Sequence, residues 1–466
     1  MRWANLLSEQ KISDSNSDDS EITSGFANDY KQIIMSQQLR SMHEKTQIFP
    51  LGCNDLIRTR YTHSAEVSAI SKLIAQRMVV QVIKSRKNTA FNEIIMYQIS
   101  ELLMCAAMLH DIGQPAFGHF GEEAIKMWYR TNLDKVMYRG TPVTEVLSKE
   151  MTGDLYNFSS LAQSLRCVIK LDNDHFSLSS SVLSVLIRYA ASSTQIRAEN
   201  GIKKTGYFYS ERSQVAKIQE AAGTANCRHP LTYVLDAAER IASMTAVMED
   251  SVKKGRITCL DLLSELRKEE YLGDAVTPEE YKRFAYIVKN LGICYENARK
   301  DSYQDAEVRA IRMWISSLQN QLAEFAAVCF ADNYDKIMKG TYTGDIVSDS
   351  WCRIILRAFN DVEKRFAFFA PCILNIEISA KTIFGFLLNC FINAAVNYDT
   401  DNKQDDMYEK YLSIIPDRFK NIYHRYAKDE DDAQKLYLRF MMVTDFICEM
   451  TDNEAKNLYK TLNGII

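Results

Sequence analysis

Helix breakers are scarce in this chain. Glycine occurs 17 times and proline 7 times among 466 residues, and apolar residues recur at i, i+3 and i+4 rather than in strict alternation. Long helices joined by short connections are the expected outcome, so the fold class is all-α. The stretches Glu66 to Ile83, Leu231 to Val252, Val308 to Phe330 and Ala380 to Val396 carry the helical period. The first does so through Val67, Ile70, Leu73, Ile74, Met78 and Val79. In the last, Gly385, Ala394 and Ala395 are small enough to admit a close neighbouring helix.

A hydrophobic content of 47% fills a substantial core at this length. Residues 1–24, with a Ser/Asp-rich run at 13–20, read as a flexible arm. A helical core follows over 25–255, then a helical middle region over 256–365 and a C-terminal helical region over 366–466. Polar breaks at 399–406 and 428–432 separate helices in the last region. Lys and Arg number 56 against 60 Asp and Glu, a formal charge of −4 that offers nucleic acid or an anionic membrane no global attraction. Single-stranded DNA as a partner is therefore not evident from charge. The 11 cysteines never fall in a CxxC pair, which suits reduced thiols in a cytoplasm. No signal peptide or membrane span is expected: the most apolar stretch, roughly Ile99 to Leu109, is short and runs into His110.

Seven histidines occur. His43, His175, His229 and His424 stand alone and read as structural. The other three keep unusual company. His110-Asp111 closes an apolar helix and precedes Ile112-Gly113-Gln114-Pro115, which ends the helix and leaves imidazole and carboxylate at the tip of a rigid element. Such groups are natural ligands for a divalent cation. Arg58-Thr59-Arg60-Tyr61-Thr62-His63 places His63 in the first turn of another helix, with Thr62 as a candidate N-cap. Its two arginines suit a site where phosphate is bound beside a metal. In Gly118-His119-Phe120-Gly121-Glu122, helical spacing puts His119 and Glu122 on one side, where a carboxylate can orient an imidazole for acid/base work. With an acidic residue from a later helix, His63, His110 and Asp111 make a four-ligand set drawn from three segments.

Two long stretches carry a resemblance. Asn54-Asp55-Leu56-Ile57-Arg58-Thr59-Arg60-Tyr61-Thr62-His63-Ser64-Ala65-Glu66-Val67 and His110-Asp111-Ile112-Gly113-Gln114-Pro115-Ala116-Phe117-Gly118-His119-Phe120-Gly121-Glu122 resemble the signatures of the dGTP triphosphohydrolase family of HD-domain phosphohydrolases. The likeness extends to Arg188-Tyr189, Lys204 to Phe208, Arg228 to Tyr233, and Met450-Thr451-Asp452 through Tyr459, and is thinnest between about Ser251 and Asp301. It implies an HD-domain helical fold with an additional C-terminal helical region. It further implies that His63, His110 and Asp111 bind a divalent metal, Mg or Mn, and that His119 with Glu122 performs the acid/base step. By the same resemblance Arg60, Arg188, Tyr189 and Lys204 contact the nucleotide, mostly its phosphates. The implied reaction splits a deoxynucleoside triphosphate, dGTP first, into deoxynucleoside and tripolyphosphate. The implied assembly is a homohexamer with C-terminal residues reaching a neighbouring site.

The chain also departs from the family pattern. Where the family reads Ala-Ala-Asp-Asp-Ile, this sequence has Ala237-Ala238-Glu239-Arg240-Ile241. The fourth ligand is then Glu239, with Asp236, one turn earlier, as the alternative. Ser243 and Val247 replace a Tyr and an Asp that face the sugar, and Leu161 replaces an Asn. These changes leave two other functions open: a nucleotide-binding regulatory subunit without turnover, and an HD hydrolase of another phosphate ester.

Overall fold

The computed structural model describes residues 1–11, 25–49, 57–86, 91–171, 177–196, 202–224, 227–268, 277–301, 305–368, 371–402 and 405–465. His175, Asn54 to Leu56 and most of the expected arm lie outside these. Among the described residues the only paired strands are Met137–Tyr138 and Thr141–Pro142, a small antiparallel hairpin. Everything else regular is helical, and the protein is all-α.

The periodic stretches form the long helices Arg60–Arg86, Pro230–Lys253, Ala306–Asp332 and Pro371–Ala395. The first buries Val67, Ile70, Ile74, Ala75, Met78, Val79 and Val82, one stripe at helical spacing. It lies against Glu93–Leu109, Pro230–Lys253 and Ala306–Asp332. The Glu93–Leu109 helix is apolar on every side over its last two turns, and Leu102, Leu103, Cys105, Ala106, Ala107 and Leu109 are fully buried. Complete burial of such a leucine contributes about 1.5–3 kcal/mol. The polar pair His110-Asp111 thus emerges from the end of a helix locked in the core.

Among the described residues, two apolar clusters make up the interior. One gathers around the helices just named. The second forms where His119–Asn132 packs on Pro371–Ala395, which in turn meets Asp432–Glu449 and Asp452–Leu462. Ile112 belongs to the first cluster, whereas Ala116 and Phe117 belong to the second. The loop between His110 and His119 therefore crosses the seam. The expected divisions at 256 and 366 are not breaks in packing. Residues such as Leu262 and Trp314 complete the first cluster, and Phe158 and Ala162 join the second beside Leu387 and Met441.

Two expectations are corrected. The chain is not free from its first residue, because Leu6 is fully buried and its carbonyl accepts a hydrogen bond from His229 Nε2 at 2.9 Å. A short apolar helix, Trp3–Leu6, supplies that anchor. Gly385 faces open space, so close packing in its helix rests on the fully buried Ala394 and Ala395. The segment Ile373–Ala395 is long and apolar enough to cross a membrane by length and composition; here 56% of its most apolar window is buried.

Candidate active site

The helix carrying His63 begins one turn earlier than the Thr62 cap implies. His63 N–H donates to Thr59 O at 3.0 Å, which makes Thr59 the cap. Thr59 and Thr62 then close a reciprocal pair: Thr62 N–H donates to Thr59 Oγ1 at 3.3 Å and Thr59 N–H to Thr62 Oγ1 at 3.0 Å. This fixes His63 in the first full turn, where it is 1% exposed.

His110 follows the last residue of the Glu93–Leu109 helix. Its Nδ1 lies 2.7 Å from Ala107 O, so that nitrogen carries the proton and the Nε2 lone pair is free. Ligand atoms of His63, His110 and Asp111 lie within 4.8 Å of one another. Two nitrogens in this group, His63 Nδ1 and His110 Nε2, are buried without a hydrogen-bond partner. Buried polar atoms are rarely left so, and two imidazoles facing one carboxylate are a donor set that fits a divalent cation. Burial, with smaller contributions from His110 and Arg60, drives the His63 pKa down to about 3 against the pull of Asp111. The ring is therefore neutral, the form that binds metal. Burial would raise the Asp111 pKa, but Arg60 and the two imidazoles hold it below the usual carboxylate range.

Only one of the two flanking arginines turns to the site. Arg60 Nη1 lies 2.5 Å from Asp111 Oδ2. Arg58 points elsewhere, into Glu66, Glu249 and Asp250, and is spent on that network.

His119 is the first residue of its helix, exposed, with Gly118 at the cap. Gly118 has φ +60°, and a Cβ there would collide with Arg60 Nη2, so only glycine fits. Glu122 is 1% exposed and does not orient the His119 ring as expected. Its Oε2 accepts from Ser160 Oγ at 2.6 Å, and its Oε1 lies 2.8 Å from Lys126 Nζ and 3.5 Å from Lys204 Nζ. Burial opposes ionisation of Glu122, yet Lys204 and Lys126 lower its pKa overall, and it stands as an anion.

The remaining basic residues gather on the Pro230–Lys253 helix. Arg188 spans two carboxylates, with Nε 2.6 Å from Asp236 and Nη2 2.5 Å from Glu239. Arg228 also pairs with Asp236 and lies over the rings of Tyr189, at 5.8 Å, and Tyr233, at 4.3 Å. Glu239 is thus held by Arg188 and is not in the His63-His110-Asp111 group; neither is Asp236.

Sequence reasoning missed Ser160, Lys126 and Ser164. Ser164 Oγ accepts from Gly113 N–H and lies 3.0 Å from His110 O, bracing the turn after the ligand pair. Lys126 was findable, being four residues after Glu122 on one helix face. The two serines were not, since a serine in a helix carries no distinguishing pattern.

Comparison with known proteins bears on this site. The HD domain family model matches residues 60–167, a span that contains His63, His110, Asp111, His119, Glu122 and Ser160. Over 479 residues, 100% of both chains, the sequence is 34% identical to a deoxyguanosinetriphosphate triphosphohydrolase-like protein of Listeria innocua. It is 27% identical over 485 residues, again 100% of both, to a protein of the same description from Synechocystis. A deoxyguanosinetriphosphate triphosphohydrolase of Yersinia pestis is 27% identical over 495 residues, 96% of this chain and 95% of that one. With this full-length likeness and the HD domain match, the chain belongs to the dGTP triphosphohydrolase family of HD-domain phosphohydrolases.

Proposed function

We propose that the protein hydrolyses deoxynucleoside triphosphates, dGTP first, to deoxynucleoside and tripolyphosphate. The observation that carries this reading is the pair of orphaned imidazole nitrogens converging on Asp111 at the seam of the two clusters. His63, His110 and Asp111 would hold the metal, Mg or Mn, with Glu239 as the proposed fourth ligand and Asp236 the alternative. An ion held there would supply Lewis-acid chemistry for phosphate hydrolysis.

The protein's own residues supply the rest. Arg60, which pairs with Asp111, and Lys204, near Glu122, are the proposed counter-charges of the triphosphate, joined by Arg188 once it turns from its two carboxylates. Tyr189, next in the chain, offers a face to the nucleoside. Water adds to the α-phosphorus, the bond to the 5′-oxygen breaks, and that oxygen takes a proton. His119, exposed at its helix N-terminus, is the proposed proton carrier. Glu122 keeps Lys204 at the site as its fixed counter-charge.

The test is to incubate the purified protein with each deoxynucleoside triphosphate and Mg or Mn, then separate tripolyphosphate from orthophosphate. Tripolyphosphate with free deoxynucleoside supports the reading; no product from any deoxynucleoside triphosphate, with orthophosphate released from a phosphate monoester instead, would assign the site to another phosphate ester. A second reading, a nucleotide-binding regulatory subunit, draws on Arg188 holding Glu239 away from the trio. It requires nucleotide-dependent thermal stabilisation with no turnover. A homohexamer in the cytoplasm is the proposed working form, and sedimentation measures the assembly.

A further inference from the structure

One carboxylate from the far end of the chain ties together both sides of the candidate site. Asp452 is the first residue of the helix Asp452–Leu462 and is 5% exposed. Its Oδ1 accepts from the Phe117 N–H at 2.9 Å. Its Oδ2 accepts from the Thr46 N–H at 3.1 Å and from the Thr46 hydroxyl.

Each partner stands next to a site residue. Phe117 has φ +61°, a conformation that a bulky residue rarely adopts, and it leads into Gly118 and the His119 helix. The bond from Asp452 to its amide helps to hold that conformation. Thr46 pairs with Thr59 in an antiparallel bridge, and its neighbours hold Arg60 directly. The Arg60 N–H donates to Lys45 O at 3.1 Å, and Arg60 Nη2 lies 3.4 Å from Gln47 O. Lys45 repeats the connection from a second direction: its buried ammonium donates to Gln114 O at 2.8 Å and Cys448 O at 2.7 Å.

We infer that Asp452, seconded by Lys45, is a positioning residue that holds the Arg60 segment and the His119 turn in one frame. The inference rests on the proposed function for its catalytic consequence and on the hydrogen bonds alone for its structural one. Three donors converge on two anionic oxygens, so a neutral amide cannot replace the carboxylate. Asparagine has one acceptor oxygen, and its NH2 group would face a backbone N–H. The C-terminal helix then belongs to the working site.

Hydrogen exchange and kinetics on the full-length protein test this. In Asp452→Asn, peptides covering 112–122 and 45–62 exchange faster, while those from Glu93–Leu109 and Ala306–Asp332 keep wild-type rates. Metal stoichiometry is unchanged, and kcat falls about 100-fold, as for an ångström-scale misplacement of a catalytic group. Thr46→Val loosens 45–62 alone, and Thr46→Ser restores it. Wild-type exchange at 112–122 in Asp452→Asn overturns the inference, as does faster exchange throughout the molecule with Thr46→Val no different from Thr46→Ser. If the wild type turns over no nucleotide, the proposed function falls and the exchange result still decides whether Asp452 is the clamp.

Discussion

Arg60 and Asp111 form an ion pair of 2.5 Å in which neither side chain is more than 12% exposed. The carboxylate that belongs to the candidate metal group is therefore already neutralised by a residue assigned to phosphate. Removing one partner of a buried pair leaves the other uncompensated, at a cost of about 3–5 kcal/mol. Arg60→Gln is expected to melt at lower temperature than wild type in chelator, and to gain more than wild type when Mn is added, because the metal replaces the lost countercharge. Melting curves with and without Mn check this; equal metal-induced gains in the two proteins would contradict it.

Gly118 is the position where backbone geometry governs site geometry. A side chain there meets both a positive φ and the Arg60 guanidinium. Gly118→Ala should lower stability by about 1–3 kcal/mol and depress turnover by more than that loss of folded protein explains. Denaturant titration alongside initial rates separates the two effects.

His229 caps the helix Pro230–Lys253, accepting from Leu231 N–H at 3.1 Å through Nδ1 while Nε2 donates to Leu6 O. Burial drives its pKa down to about 4 from 6.5. Between those values the unfolded chain binds the proton and the folded chain does not, so the contribution is intact above pH 6.5 and fades as pH falls toward 4. Relative to His229→Asn, wild type should lose about 3 kcal/mol across that window. Urea titrations at the two ends measure it, and parallel pH profiles would refute the assignment.

Asp154 has the opposite sign. Its Oδ2 accepts from Tyr209 N–H at 2.6 Å and Tyr437 hydroxyl at 2.7 Å, and burial lifts its pKa to about 7. The folded state holds the proton that the unfolded state releases near pH 4, so this contribution is complete below pH 4 and is lost as pH rises through 7. Asp154→Asn should therefore gain on wild type by about 4 kcal/mol between pH 4 and 7. Denaturation at fixed intervals across that range checks the slope.

Much of this architecture was readable beforehand because it is local. The long helices announced themselves through apolar period and missing breakers, and His110-Asp111 through its place at the end of an apolar run. What escaped depends on distant partners. Asp452 meets Phe117 across 335 positions, and nothing near either residue marks the pairing. Glu239 was legible as an acidic candidate on a later helix, but its capture by Arg188 is a competition between charges that only the folded arrangement reveals. The first residues were misread because Trp3–Leu6 is too short to show a period, yet Leu6 fills a core position. Glu122 and His119 share a helix side by spacing, but burial delivered the carboxylate to Ser160 and two lysines instead.

The most direct measurement is product identity with metal content on one preparation. Wild-type protein, loaded with Mn and given dGTP, should release deoxyguanosine and tripolyphosphate in equal amounts, and His110→Ala should lose both bound metal and release. Metal bound at full stoichiometry with no tripolyphosphate from any deoxynucleoside triphosphate would contradict the account.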